Sequence, residues 1–255
     1  MIRVALRVCL NYKPALGRGR GGGITLEEFQ RLYHEDEFYS WFGLDSPLVY
    51  AAHKAAGGMT SVYRQIGLGC QIVFQRLLQD ALGLSTPDAT WSYEVPRPRG
   101  KSRVLSLDGR IPLEMVIADS RRSRVESWLR EAASRVGLKG RNASSLQGCV
   151  FEVRQGYKSN DAKRQNADVS NAASAFAHRY LPVMLLLSVQ IPENLAERYA
   201  RARWLILRGT VSGSTVDSTY VFCREVLGYD LAGFFRRNSA EIKAETLTVF
   251  EELLR

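Results

Sequence analysis

The chain has 255 residues, of which 45% are hydrophobic and 24% are charged. This length and composition are typical of a folded globular protein, and they exclude a disordered or fibrous chain. The longest apolar run, residues 181–189, is too short to span a bilayer. The first ten residues alternate like a strand and carry no cleavage-site pattern, so we expect no signal peptide, no membrane partner and a cytoplasmic protein.

The charge of the chain indicates a polyanionic partner. The formal net charge is +9, and the basic residues are 28 Arg and 7 Lys. Arginine makes forked contacts to phosphates and to guanine edges, although a GC-rich genome would give the same bias without a function. The four Cys and three His residues are scattered, so we expect no structural zinc site. A nucleic acid is therefore the favoured partner.

The N-terminal third is predicted to be helical. Thr25 is a suitable N-cap for a helix over 26–42, because Glu27 and Glu28 lie in its first turn. Apolar residues recur at helical spacing over 60–82, and Gly83 ends that helix.

The middle of the chain is predicted to alternate between strands and helices. A strand over 91–95 is followed by a predicted hairpin, in which Asp108-Gly109 joins the strands 104–107 and 111–118. The later elements, in chain order, are predicted to be a basic helix (120–137), a strand (149–155), a polar helix (161–180), a strand (182–189), a helix (193–202), a strand (204–209) and a helical tail. Continuous apolar strands separated by helices indicate a sheet that is covered on both faces.

We therefore predict one α/β domain over residues 1–255, with a mixed sheet of the α+β kind. Its helical N-terminal portion covers about 1–90, its catalytic core about 91–210 and its helical tail about 211–255.

Glu152 is the residue that most needs an explanation. It lies in the apolar strand "CVFEVRQ", where a carboxylate is costly to desolvate unless a metal ion, a lysine or an arginine meets it. Two carboxylates on adjacent strands can hold Mg²⁺ against a scissile phosphate, with a nearby lysine to orient the attacking water. Asp108, Glu114 and Asp119 are the candidates for the other carboxylate.

The order of these elements resembles the PD-(D/E)XK nuclease core, over about residues 104–190. The segments 57–70, 106–111 and 152–168 further resemble the ApaLI-like type II restriction endonucleases. This resemblance implies that Asp108 and Glu152 bind Mg²⁺ and act in catalysis. The family's lysine position holds Arg154, so Lys158 is predicted to take the catalytic role, because Gly156 would let the chain bend it back; Lys163 and Arg154 remain alternatives.

The resemblance also implies a function and its partners. The protein would be a Mg²⁺-dependent, sequence-specific endonuclease that cuts double-stranded DNA at a short palindromic site, as a homodimer, beside a cognate DNA methyltransferase. The alternative is a basic DNA-binding protein without catalysis, in which Asp108 is a plain turn residue and Glu152 pairs structurally with Arg154.

Two groups of residues are predicted to contact DNA. The first lies on the helix after the Glu152 strand and would read bases, unless that helix is an ordinary solvated one: Lys163, Arg164, Gln165 and Asn166. The second would contact phosphates and so position the protein without specifying sequence: Arg97, Arg99, Lys101 and Arg121.

Overall fold

A computed structural model of the protein describes residues 1–16, 23–96, 102–157 and 162–254. They form two compact units, one made of Met1–Gly69 with Arg237–Arg255 and the other of Cys70–Arg236. The expectation of a single domain over 1–255 stays a prediction. None of the helices in these described residues is long and apolar enough to cross a membrane.

The first unit is helical. It contains α1 (Ile2–Arg7), a 3-10 helix (Val8–Asn11), α2 (Leu26–His34), α3 (Glu37–Trp41), the first part of α4 (Pro47–Leu82) and α12 (Ser239–Leu254). Thr25 and Glu28 form a capping box at the start of α2, which confirms the predicted N-cap. The helix predicted over 26–42 is nevertheless two helices, because the Asp36 carboxylate accepts from the backbone N–H groups of Phe38 and Tyr39 and begins α3.

The second unit holds the strands found among the described residues. They are β1 (Trp91–Pro96), β2 (Ser102–Leu107), β3 (Gly109–Pro112), β4 (Gly148–Arg154), β5 (Tyr180–Leu186) and β6 (Leu205–Leu207). Its helices are the second part of α4, α5 (Thr86–Ala89), α6 (Asp119–Arg135), α7 (Arg141–Ser144), α8 (Ala162–Ala177), α9 (Glu193–Arg201), α10 (Thr219–Glu225) and α11 (Leu231–Arg237).

The strands form a two-stranded hairpin, β1–β2, and a four-stranded mixed sheet in the order β3-β4-β5-β6. β3 is antiparallel to β4, whereas β5 and β6 are parallel to their neighbours and are reached through α8 and α9. One face of the mixed sheet packs on the cluster that contains Phe74, Trp128 and Phe222; the other packs on the cluster that contains Ala172, Tyr199 and Trp204. The mixed sheet and its two covered faces were both predicted.

The predicted hairpin at Asp108-Gly109 is wrong. β2 pairs with β1, and β3 pairs with β4, so Asp108 separates two strands that belong to different sheets. The strand predicted over 111–118 is also shorter, because β3 ends at Pro112 and a 3-10 helix (Leu113–Met115) follows it.

The break beside Asp108 depends on the packing of Gly109. A Cβ atom at this position would lie 3.2 Å from Leu78 Cδ1 and from Phe74 Cε1, which is tighter than ordinary carbon contacts. The absence of a side chain therefore lets β3 lie directly against α4. This contact fixes the position of Asp108, the preceding residue, next to β4.

Candidate active site

Asp108 is attached to β4 by its side chain. Its carboxylate oxygen Oδ2 accepts a hydrogen bond from the Val153 backbone N–H at 2.9 Å. Its carbonyl oxygen accepts from Gln75 Nε2 at 2.7 Å, so α4 holds the same residue from the other side. Since Gly109 pairs with Phe151, Asp108 lies beside the Glu152–Val153 stretch of β4. Asp108, which immediately precedes β3, thus lies beside the strand that carries Glu152.

Glu152 lies in the middle of the sheet and is 5% exposed. β4 pairs on both sides, and side chains alternate along it, so Glu152 and Arg154 lie on one face with Val150, which packs toward α8 and α9. The Arg154 guanidinium forms an ion pair with Glu152, through Nη2 and Oε1. The positive group that a buried carboxylate requires is therefore this arginine.

A third carboxylate, Asp168 of α8, completes the cluster. It is 2% exposed, and its Oδ1 lies 3.7 Å from Arg154 Nη2. The Tyr199 hydroxyl donates to Asp168 Oδ2 at 2.6 Å, and the Tyr157 hydroxyl is 3.5 Å from the same oxygen. The Trp204 indole N–H donates to the Asp168 carbonyl at 3.1 Å. Asp168 is therefore held at both ends, by its backbone and by its carboxylate.

The chain turns sharply as it leaves this cluster. Gly156 adopts a φ of 153°, and a side chain there would collide with Ser188 Oγ. The next residue, Tyr157, donates its backbone N–H to the Gln190 carbonyl at 2.7 Å and buries its ring. The turn thus directs Tyr157 into the cluster immediately before Lys158.

The electrostatics of the cluster are those of carboxylates crowded around one cation. Burial raises the pKa of the Asp108 carboxyl, the Val153 N–H and the charge of Arg154 oppose this rise, and the charge of Asp168 adds to it. Burial alone would lower the pKa of Arg154, but Glu152 and then Tyr157, Asp168 and Asp108 raise it overall. Arg154 is consequently charged at any working pH.

The phenols beside Asp168 stay protonated. Burial raises the pKa of Tyr157 to about 12, and the charge of Asp168 contributes to this rise. Burial also raises the pKa of Tyr199, followed by its hydrogen bond to Asp168. Both hydroxyls therefore remain available as donors to the Asp168 carboxylate at neutral pH.

The cluster fits Mg²⁺ in donor type and in charge. Three carboxylates and one guanidinium sum to a formal charge of −2 when all four are ionised, which one divalent cation would balance. Across the described ranges of the chain, no group of three or more His, Cys, Asp or Glu side chains is arranged to hold a metal ion. Mg²⁺ commonly binds through one or two carboxylates, with waters and substrate phosphates as its other ligands, so Asp108 and Glu152 would be sufficient.

The predicted base-reading residues lie at the start of α8. Gln165 is buried, and its side-chain oxygen accepts from Arg198 Nη1 at 2.7 Å. The side-chain oxygen of Asn166 accepts from Arg198 Nη2 at 2.5 Å. Lys163 and Arg164 belong to the first turn of α8, but their side chains lie outside the described part of the chain.

The other predicted residues are more dispersed. Lys158, Arg97, Arg99 and Lys101 lie outside the described residues, so their roles stay predictions. The Arg121 guanidinium donates to the Ala81 carbonyl near the end of α4. Glu114 is exposed on the 3-10 helix, and Asp119 is exposed beside Arg122.

Sequence reasoning missed Asp168, Tyr157 and Tyr199. A signal for Asp168 was present, because it shares the buried face of α8 with Ala172 and Ala175, and a charge on an apolar helix face requires a partner. The tyrosines carried no such signal, since Tyr199 is 31 residues from Asp168 in the chain.

No protein-family model, curated protein or solved structure matches the chain.

Proposed function

We propose that the protein is a Mg²⁺-dependent, sequence-specific endonuclease that hydrolyses phosphodiester bonds of double-stranded DNA. The observation that carries this proposal is that Asp108 is hydrogen-bonded to β4 at Val153, the residue after Glu152, while Glu152 pairs with the partly buried Arg154. The net charge of +9 supports a polyanionic substrate.

The strand order supports a core of the PD-(D/E)XK kind. β1 pairs with β2, the chain continues through Asp108 into β3, β3 is antiparallel to β4, and α8 leads to the parallel strand β5. Asp108 thus opens β3, and Glu152 lies on the next strand, β4. These are the positions that the resemblance assigns to the two metal-binding acids.

Asp108, Glu152 and Lys158 each have a role in the proposed hydrolysis. Mg²⁺, when bound, would polarise the scissile phosphate and lower the pKa of a bound water. Asp108 and Glu152 would hold the cation, and the Val153 N–H orients the Asp108 carboxylate. Lys158 follows the turn at Gly156 and Tyr157, and it is the proposed group that orients the attacking water.

The proposed partners follow from the substrate. A short palindromic site is read most simply by a twofold-symmetric homodimer, because protein symmetry then matches DNA symmetry. A host with such an enzyme needs a cognate DNA methyltransferase to protect its own sites. The proposed phosphate contacts are Arg97, Arg99, Lys101 and Arg121, and the proposed base contacts are Lys163, Arg164 and Asn166; Gln165 is buried and is not among them.

A second function is favoured by one observation. Arg154 already neutralises Glu152 and lies near Asp168, which is how a purely structural buried ion cluster is built. In that case the protein would bind DNA without cutting it.

Incubation with plasmid DNA and Mg²⁺ distinguishes the two functions. We expect fragments of discrete length that disappear when EDTA replaces Mg²⁺, because cleavage requires the cation. The matched control is the same protein with Ca²⁺, which binds carboxylates but often does not support such hydrolysis. Plasmid that is retarded on a gel but never cut, across Mg²⁺ and Mn²⁺, would instead establish the non-catalytic function.

A further inference from the structure

Arg154 holds a carboxylate that the proposed metal ion would also need. Its Nη2 is paired with Glu152, one of the two proposed metal ligands. A divalent cation bound to Glu152 would lie beside the positive guanidinium, so the two cations repel each other and compete for this carboxylate. The arginine must therefore move or share Glu152 when the metal binds.

The guanidinium is not fully satisfied where it lies. Its Nε is buried and has no hydrogen-bond partner among the described residues. A buried donor without a partner is costly and often marks a functional site, so it requires an explanation. A movement of the guanidinium would therefore break no hydrogen bond from Nε.

Asp168 offers the guanidinium a second position. Its Oδ1 is 3.7 Å from Arg154 Nη2, so a movement of about 1 Å would give a charge-assisted hydrogen bond of normal length. The Tyr199 and Tyr157 hydroxyls and the Trp204 indole fix Asp168 in place, so the carboxylate can receive the guanidinium without moving itself.

We infer that Arg154 is a built-in counter-ion that holds Glu152 until a metal binds, and that Asp168 is a positioning residue that accepts the guanidinium when the metal displaces it. This inference rests on the proposed function, because it assumes that Glu152 is a metal ligand. It assigns to Asp168 a role through Arg154, not a place among the metal ligands.

A Mn²⁺ titration of the protein without DNA, monitored by electron paramagnetic resonance, tests whether the metal displaces Arg154 from Glu152. The proteins are the wild type, Arg154→Gln, Asp168→Asn, the double variant and the control Arg130→Gln, which removes an exposed charge from the same unit. Arg154→Gln should tighten Mn²⁺ binding about tenfold, since the competing cation is gone. Asp168→Asn should weaken it about tenfold, since the guanidinium loses its second acceptor.

The double variant separates this mechanism from simpler ones. In the Arg154→Gln background, Asp168→Asn should change the Mn²⁺ affinity by no more than about twofold, because Asp168 acts only through Arg154. An equal loss in both backgrounds would make Asp168 a metal ligand, and unchanged Mn²⁺ affinity in both single variants would show that Arg154 does not compete with the metal; each result overturns the inference but leaves the proposed function standing. If neither the wild type nor Arg154→Gln binds Mn²⁺, the inference fails, and the proposed function fails with it only if the wild type also does not cut DNA in Mg²⁺.

A measurement on the wild-type protein avoids variants that do not fold. The Arg154 Nε–Hε signal, assigned by triple-resonance NMR, should shift during a Mg²⁺ titration with the same midpoint as Mg²⁺ binding measured by calorimetry. The shift should be absent in the presence of EDTA. An Arg154 signal that stays in place while Mg²⁺ binds would show that the guanidinium is not displaced, and would overturn the inference.

Discussion

Glu152→Gln is expected to abolish cleavage while it leaves DNA binding intact or tighter. The substitution keeps the shape of a side chain that is 5% exposed, but it removes the charge that would hold the cation. We expect the single-turnover rate to fall by about 10³-fold or more, which corresponds to about 4 kcal/mol of transition-state stabilisation. Affinity should not fall, since one negative charge near the phosphates is lost.

The rate and the affinity have to be measured separately for this variant. Cleavage of pre-bound DNA gives the chemical step, and a mobility shift in Ca²⁺ gives the affinity. Glu193→Gln is the matched control, because it removes an exposed carboxylate from the same unit and should change neither value by more than about twofold. Glu152→Gln protein that cuts at the wild-type rate would exclude Glu152 as a metal ligand.

Lys158→Ala is expected to reduce the cleavage rate of bound DNA by about 10²-fold or more. This loss corresponds to roughly 2.7 kcal/mol of transition-state stabilisation. Affinity should stay within a few-fold. Arg154 is already engaged by Glu152 and Asp168, which leaves the water-orienting role to a lysine that follows β4. Lys158→Arg should also fail, because a planar fork does not replace a compact ammonium beside the metal.

The companion variants decide between the three candidates for this role. Lys163→Ala should weaken DNA binding and leave the cleavage rate of bound DNA nearly unchanged. The opposite pattern, with Lys163 essential for the chemical step and Lys158 dispensable, would move the catalytic group onto α8. If neither lysine matters, Arg154→Ala should be the variant that stops turnover.

The sequence was sufficient for the elements that depend on local pattern. The helices α6, α8 and α9, the part of α4 over 60–82 and the strands around Glu152 follow from apolar periodicity, whereas the first turns of α4, from Pro47, were not predicted. The charged residue on β4 was visible as an exception to that periodicity. What Glu152 required was also visible: a positive group, which the structure identifies as Arg154.

The features that depend on distant partners could not be predicted. Asp-Gly favours a hairpin locally, but β3 pairs with β4 and β2 pairs with β1, so long-range pairing decided the conformation at Asp108. Asp168 and Tyr199 meet only because α8 and α9 pack on the same face of the sheet. Gln165 was expected to face DNA, and its burial results from that same packing.

The most direct test of whether Asp108 and Glu152 form the catalytic centre is the single-turnover cleavage rate of Asp108→Asn. This rate is compared with the rates of Glu114→Gln and Asp119→Asn. The substrate is a duplex that carries the site mapped from the wild-type fragments, at saturating protein and Mg²⁺. Asp108→Asn keeps an oxygen that can accept from the Val153 N–H, so the fold should persist. We predict a loss of about 10³-fold for Asp108→Asn and a change within about twofold for the two exposed carboxylates. Wild-type cleavage by Asp108→Asn, or a comparable loss in either of the other two variants, would contradict this assignment.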